Sequence, residues 1–198
     1  QHGKFRRQRQ MCIRDSNQLE AEGNVGTEMG IARMWKVFIF HVLVDQYGDT
    51  PYFQAGRGFL DGVVRPVYDD DQVIYMDMLN ELEQAVAQIG GSSTLGSSDL
   101  VFNGDTNKWK KFGNSLMLRL AMRIKNVDPT GSNTWAQKAI DGGTMSSNED
   151  TAFMTHTDGP TDLNRNAWGT YQPRYSFARI GATSVSYTHL TLPTKLAV

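Results

Sequence analysis

The chain is predicted to be all-α, with long irregular loops between its helices. Three observations carry this. Four stretches place apolar residues at helical spacing. Each is bounded by residue types that start or stop helices, chiefly Asp, Asn, Thr, Gly and Pro. A composition of 39% hydrophobic and 21% charged residues in 198 describes a globular chain with a core, one domain or a large piece of one.

The first helix is expected from Thr27 to Gln46. Ile31, Met34, Trp35, Phe38, Ile39, Val42 and Leu43 form one face. Val37, Phe40 and Val44 add apolar groups on the other side, so this helix should be buried nearly all round. His41 and Lys36 interrupt it, and His41 reads as a satisfied core histidine. Met34 to Val44 is the longest apolar run, well short of the roughly 18–20 residues that cross a bilayer.

A corner follows, built from Asp45, Tyr47, Gly48, Asp49, Pro51 and Tyr52. Gly48 can take the left-handed conformation that closes a helix, and Pro51 cannot continue one. Asp45 and Asp49 are placed to bond freed backbone groups, while Tyr47 and Tyr52 bring apolar bodies with polar tips. The connection from Tyr52 to Asp69, with Gly56, Gly58, Gly62 and Pro66, is longer than an ordinary loop. Such lengths are functional or packed by their own side chains. Arg57 and Arg65 read as solvated loop charges.

The second helix is expected from Asp70 to Ile89, with Tyr75, Leu79, Leu82, Val86 and Ile89 as its stripe. One of Asp69, Asp70 and Asp71 caps it and the others favour the positive end of its dipole, a better account than a cation site. Gly90 to Ser98 reads as a mobile loop. The run Asp99 to Asp105 invites a calcium-loop reading. That reading fails, because Val101 and Lys110 stand where an oxygen ligand and a Glu are required. Asn103-Gly104 is a tight turn instead.

The third helix is expected from Asn107 to Lys125, with Trp109, Phe112, Leu116, Leu120 and Ile124 on its core face. Arg119 and Arg123, one turn apart beside that face, are candidates for buried or half-buried salt bridges to the corner aspartates. A short fourth helix should begin near Asn133 or Thr134, where Thr134 and Gln137 suit a capping box, and end at Gly142-Gly143. From Met154 to Ser184 no period is sustained.

Both ends look foreign to this body. Residues 11–16 and 185–195 resemble translated sequencing-adapter read-through, and 1–10 have no clear provenance. Residues 1–16 and 185–198 are therefore set aside as non-native ends, leaving 17–184 as the native fragment. The ends hold six of the 20 basic residues and one of the 21 acidic ones, so the body carries 14 against 20, a net of −6. An acidic body offers no footprint for nucleic acid. Cys12, the sole cysteine, lies in the excluded end, which leaves no disulfide, thiol nucleophile or thiolate metal site.

Catalytic signatures are absent: no phosphate loop, no H-E-x-x-H, no G-x-S-x-G. Nothing calls for a metal or cofactor. Acidic neighbours such as Glu81 and Glu83, or Glu149 and Asp150, face different ways on a helix and make a poor glycosidase pair. A binding module fits better. Trp168, Tyr171 and Tyr175, with Asn166 nearby, sit in an irregular segment where binding residues concentrate. Flat aromatic faces stack on sugar rings and amides bond hydroxyls. The competing reading is that these aromatics close a small core.

Three stretches resemble one known family. Asp45, Tyr47, Gly48, Asp49, Pro51 and Tyr52 match D-x-Y-G-D-x-P-Y; Trp109 to Arg123 match W-x-K-F-x-N-S-L-x-L-R-L-A-x-R; Met145 to Ala152 match M-x-S-N-x-D-x-A. This pattern is similar to the SusD/RagB family, and to its SusD-like subgroup. The resemblance implies a tetratricopeptide-like helical scaffold, although no 34-residue repeat is visible. It also implies a lipid-anchored outer-membrane protein at the surface of a Bacteroidetes cell. Such a protein captures an oligosaccharide, or in some relatives a peptide, and delivers it to a SusC-like TonB-dependent transporter without chemistry. A protein-interaction scaffold and a glycoside hydrolase are the alternative classes. The matched motifs look like scaffold, so no ligand contact carries over from them.

Overall fold

The structure, a computed structural model, describes residues 26–155 except 59, 60 and 92. Four helices organise them: α1 (Thr27–Tyr47), α2 (Asp71–Gln88), α3 (Thr106–Arg123) and α4 (Pro129–Asp141). Short 3-10 turns occupy Gly96–Ser98, Ile124–Asn126 and Asn148–Asp150. Among the described residues no strand forms; Thr50 and Asp69 make one isolated antiparallel bridge. No helix there is long and apolar enough to cross a membrane.

Neighbouring helices alternate in direction. At one end the Thr50–Asp69 bridge and the Asp71 amide on Asp49 Oδ1 tie the close of α1 to the start of α2. At the other, the Gly90 amide donates to Thr27 Oγ1 at 3.0 Å, so α2 ends where α1 began. Asn114, midway along α3, donates to the carbonyls of Gly142 and Gly143 just past the end of α4. The four helices thus form two antiparallel hairpins in series, with α1 and α3 parallel across the centre.

The expected boundaries of α1, α2 and α3 hold to within a residue or two. No residue of α1 from Thr27 to Val44 is exposed, as the two-sided apolar pattern predicted. The core joins Met34, Val37 and Phe40 of α1 to Ile74, Met78, Leu79 and Leu82 of α2 and to Trp109, Leu116 and Leu120 of α3. A Cβ on Gly30 would lie 2.8 Å from the Ala85 carbonyl oxygen, so the α1–α2 crossing depends on a bare backbone there. Gly30→Ala is expected to cost about 1–3 kcal/mol by overpacking, even against the roughly 1 kcal/mol that alanine gains as a helix former. Gly91→Ala, in open space, should stay within about 0.5 kcal/mol of wild type. Urea midpoints compare the two directly.

The start of α4 differs from expectation. Asp128 caps it, accepting from the Gly131 amide at 2.9 Å, and Pro129 takes the first helical position, where its missing N–H costs nothing. Thr134 lies inside the helix with its hydroxyl on the Thr130 carbonyl, so the Thr134–Gln137 capping box does not exist. The Gly90–Ser98 loop is tethered: the Thr94 amide and hydroxyl both donate to Glu28 Oε1 at 2.7 Å.

Candidate functional site

The matched motif residues meet one another across the helices. At the corner, Gly48 has φ 68° and its amide donates to the Val44 carbonyl at 2.9 Å, closing α1 as expected. Asp45 bonds side chains rather than backbone: Tyr75 of α2 and Arg123 of α3 both donate to its carboxylate. Burial alone would raise the Asp45 pKa, but these two donors outweigh it and hold the carboxyl below its ordinary range. Burial and the bond to Asp45 push Tyr75 up to about 12. Asp45 therefore stays ionised as the knot of three helices.

Of the two arginines proposed for this role, Arg123 takes it, with more than half of its side chain in solvent. Arg119 is exposed and makes no ion pair among the described residues. The expectation of a buried or half-buried bridge thus holds only for the aspartate side, where the Asp45 side chain is half-buried. Asp49 bonds the Asp71 amide of α2 rather than freed groups of α1. Tyr47 projects into solvent, while Tyr52 is buried against Phe40, with ring centroids 4.7 Å apart. Burial, and then the nearby Asp77 carboxylate, push the Tyr52 phenol far above its ordinary range.

The aspartates at the start of α2 divide the work. Asp70 is the cap, accepting from the Gln72 and Val73 amides, and Asp69 turns back to accept from Tyr52 and Phe53 at 2.8 and 2.9 Å. Asp49, Asp70 and Asp71 do gather within 4.8 Å, all exposed, and helix-start chemistry accounts for them.

The second and third motifs lock together on the other side of α3. Lys111 Nζ pairs with Asp150 at 2.8 Å, and Lys108 Nζ reaches the Glu149 carbonyl. Ser115 Oγ accepts from the Met145 amide at 2.8 Å. The Lys111 ammonium, and then the Ser146 amide, hold the Asp150 carboxyl below its ordinary range. Asn114, nearly fully buried, donates at 2.7 and 3.0 Å to the Gly142 and Gly143 carbonyls. Asn114→Ala leaves those carbonyls without that donor and should cost about 1–3 kcal/mol. Hydrogen exchange should rise first across 142–150, ahead of α1 and α2.

Asp99 is the residue sequence reasoning undervalued. Its buried carboxylate accepts from the Val101, Phe102 and Gly104 amides and, at 2.7 Å, from Trp109 Nε1. Asn103 and Gly104, at φ 53° and 81°, make the tight turn that aims those amides inward. The weighed acidic pairs are also engaged: Glu81 with Arg33 at 2.6 Å and Lys36 at 3.7 Å, Glu83 with Lys138 at 2.8 Å. Trp168, Tyr171, Tyr175 and Asn166 lie outside the described residues. What the described part builds is a scaffold.

Comparison with known proteins agrees with this. A chitin-binding protein of solved structure is 33% identical, with a TM-score of 0.65 over 74% of this chain and 31% of its own. A chitin-binding SusD homolog from Flavobacterium johnsoniae is 29% identical, with a TM-score of 0.62 over 74% and 30%. A SusD homolog from Parabacteroides distasonis is 25% identical, with a TM-score of 0.70 over 81% and 32%. The chain spans about a third of the length of these structures. No curated protein matched. The fold is the helical, tetratricopeptide-like scaffold of these relatives. The family described as starch-binding associating with outer membrane matches residues 6–189, reaching into both terminal stretches set aside above. The chain belongs to this SusD-like family.

Proposed function

We propose that the chain is part of a passive cell-surface receptor that captures an oligosaccharide and passes it to a SusC-like TonB-dependent transporter. The family match across residues 6–189 carries this reading, and two structural relatives named for chitin binding support the ligand class. The full-length protein is held at the outer membrane by a lipid anchor. Residues 17–184 are the native body of the fragment. Contact with sugar falls to Trp168, Tyr171 and Tyr175, whose rings offer flat apolar faces, and to Asn166, whose amide can bond hydroxyls.

The test is calorimetric titration of the 198-residue chain with chitin and starch oligosaccharides, alongside a peptide pool. Binding of either saccharide is expected, weakened about tenfold, or ~1.4 kcal/mol, by Trp168→Ala. Binding of peptide alone, or of nothing, would instead favour a peptide receptor or an interaction scaffold. Release of new reducing ends would make the protein a hydrolase.

A further inference from the structure

His41 lies on α1 with 2% of its surface exposed, and its Nδ1 has no hydrogen-bond partner. Buried polar atoms nearly always find one. Carbonyls of its own helix, Phe38 and Val37, act on the ring, but Nδ1 meets neither at hydrogen-bonding geometry, so the core histidine is buried as expected and unsatisfied at this nitrogen. The Phe38 ring, 5.3 Å away, offers it an apolar wall. Arg119 and Arg123 lie one turn apart on α3, as His41 and Asp45 do on α1. Arg123 pairs with Asp45, while Arg119 bears on His41 as a positive charge opposing its protonation. The other groups that act on the imidazole are Asp45 and the carbonyls of Val37 and Phe38, all on its own helix. From α2, Tyr75 reaches this cluster through its bond to Asp45.

We propose that His41 is a proton-sensitive catch on the α1–α3 seam. Neutral, it tolerates Arg119 and leaves Asp45 to Arg123 and Tyr75. Protonated, it sets like charges across the seam and draws on Asp45 from one turn away, so the last turn of α3 loosens. Burial first, with Arg119 adding to it, holds the imidazole below its ordinary value of 6.5. The unfolded chain then binds the proton more readily than the folded one. This contribution to stability is present above 6.5 and is lost as pH falls through the lower, folded value.

Imidazole NMR and amide hydrogen exchange on the 198-residue chain, over roughly pH 7.5 to 5, test this. His41 should titrate below 6.5, and protection at 119–126 should fall about tenfold more than at 109–116 for each unit by which its pKa is lowered. His41→Gln should abolish that difference. Arg119→Gln, a change at an exposed position, should raise the His41 pKa and shrink the difference, and it decides the matter if His41→Gln does not fold. Titration at or above the ordinary value, or loss of protection spread evenly along α3, would overturn the proposal.

Discussion

Asp99→Ala is expected to destabilise the fold by about 3–5 kcal/mol, a large share of the 5–15 kcal/mol that holds an ordinary domain together. The carboxylate satisfies four donors, and the Phe102 amide and the Trp109 indole are buried with it. Removing a partner from a buried donor costs about 1–3 kcal/mol each, because neither water nor another acceptor replaces it. Asp99→Asn separates charge from shape, keeping one acceptor oxygen but placing an NH2 against donors. It should recover only part of the loss. Burial would raise the Asp99 pKa, yet bonds from Gly104, Trp109, Val101 and Phe102 outweigh it and hold it below 3.8. Such a group stabilises the fold above its unfolded pKa and loses that effect as pH falls through the folded one. The gap between wild type and Asp99→Ala in urea midpoint should therefore narrow on acidification below about pH 4. A gap that is constant with pH would show that charge contributes nothing at this turn.

Residue 99 also shows where sequence reasoning stops. The spacing of Asp99 to Asp105 was enough to reject a calcium loop and to place the Asn103-Gly104 turn, because both depend on neighbours in the chain. The bond from Trp109 to Asp99 depends on how α3 leaves that turn, and no local pattern encodes it. The same limit separates Arg119 from Arg123. Both lie one turn apart beside the apolar face of α3, and only the register of α3 against α1 decides which one meets Asp45. The helices were legible because an apolar stripe at helical spacing is a local signal, sharpened by Gly48 after α1 and by the aspartates before α2. The start of α4 was legible too, in Asp128-Pro129, but the weaker Thr134–Gln137 pattern displaced it. The motifs were legible as scaffold. That they meet pairwise, Asp45 with Arg123 and Lys111 with Asp150, is a property of the folded chain. Ligand contacts at Trp168, Tyr171, Tyr175 and Asn166 fall outside the described residues and stand as a proposal from composition and setting.

Trp109→Ala is the substitution with the largest expected cost, about 4–6 kcal/mol from cavity formation and lost ring contacts together. The indole is 1% exposed and sits among three aromatic neighbours. Its centroid lies 5.0 Å from Phe102, 5.6 Å from Phe112 and 6.0 Å from Trp35, each contact edge-on. Edge-on pairs add about 0.5–1.5 kcal/mol beyond area burial. Alanine would empty a space bounded by α1, by α3 and by the turn ahead of α3. That space collapses poorly, because Phe102 is held by the Asp99 turn and Trp35 by α1. Trp109→Phe fills most of the volume and removes only the N–H bonded to Asp99, so it should cost about 1–2 kcal/mol. Combining it with Asp99→Asn gives a cycle whose coupling, expected at about 1–2 kcal/mol, measures that bond apart from the packing around it. If urea melts put Trp109→Ala within about 1 kcal/mol of wild type, the aromatic cluster does not pin α3 to α1, and Asp45 with Arg123 would have to hold that seam alone.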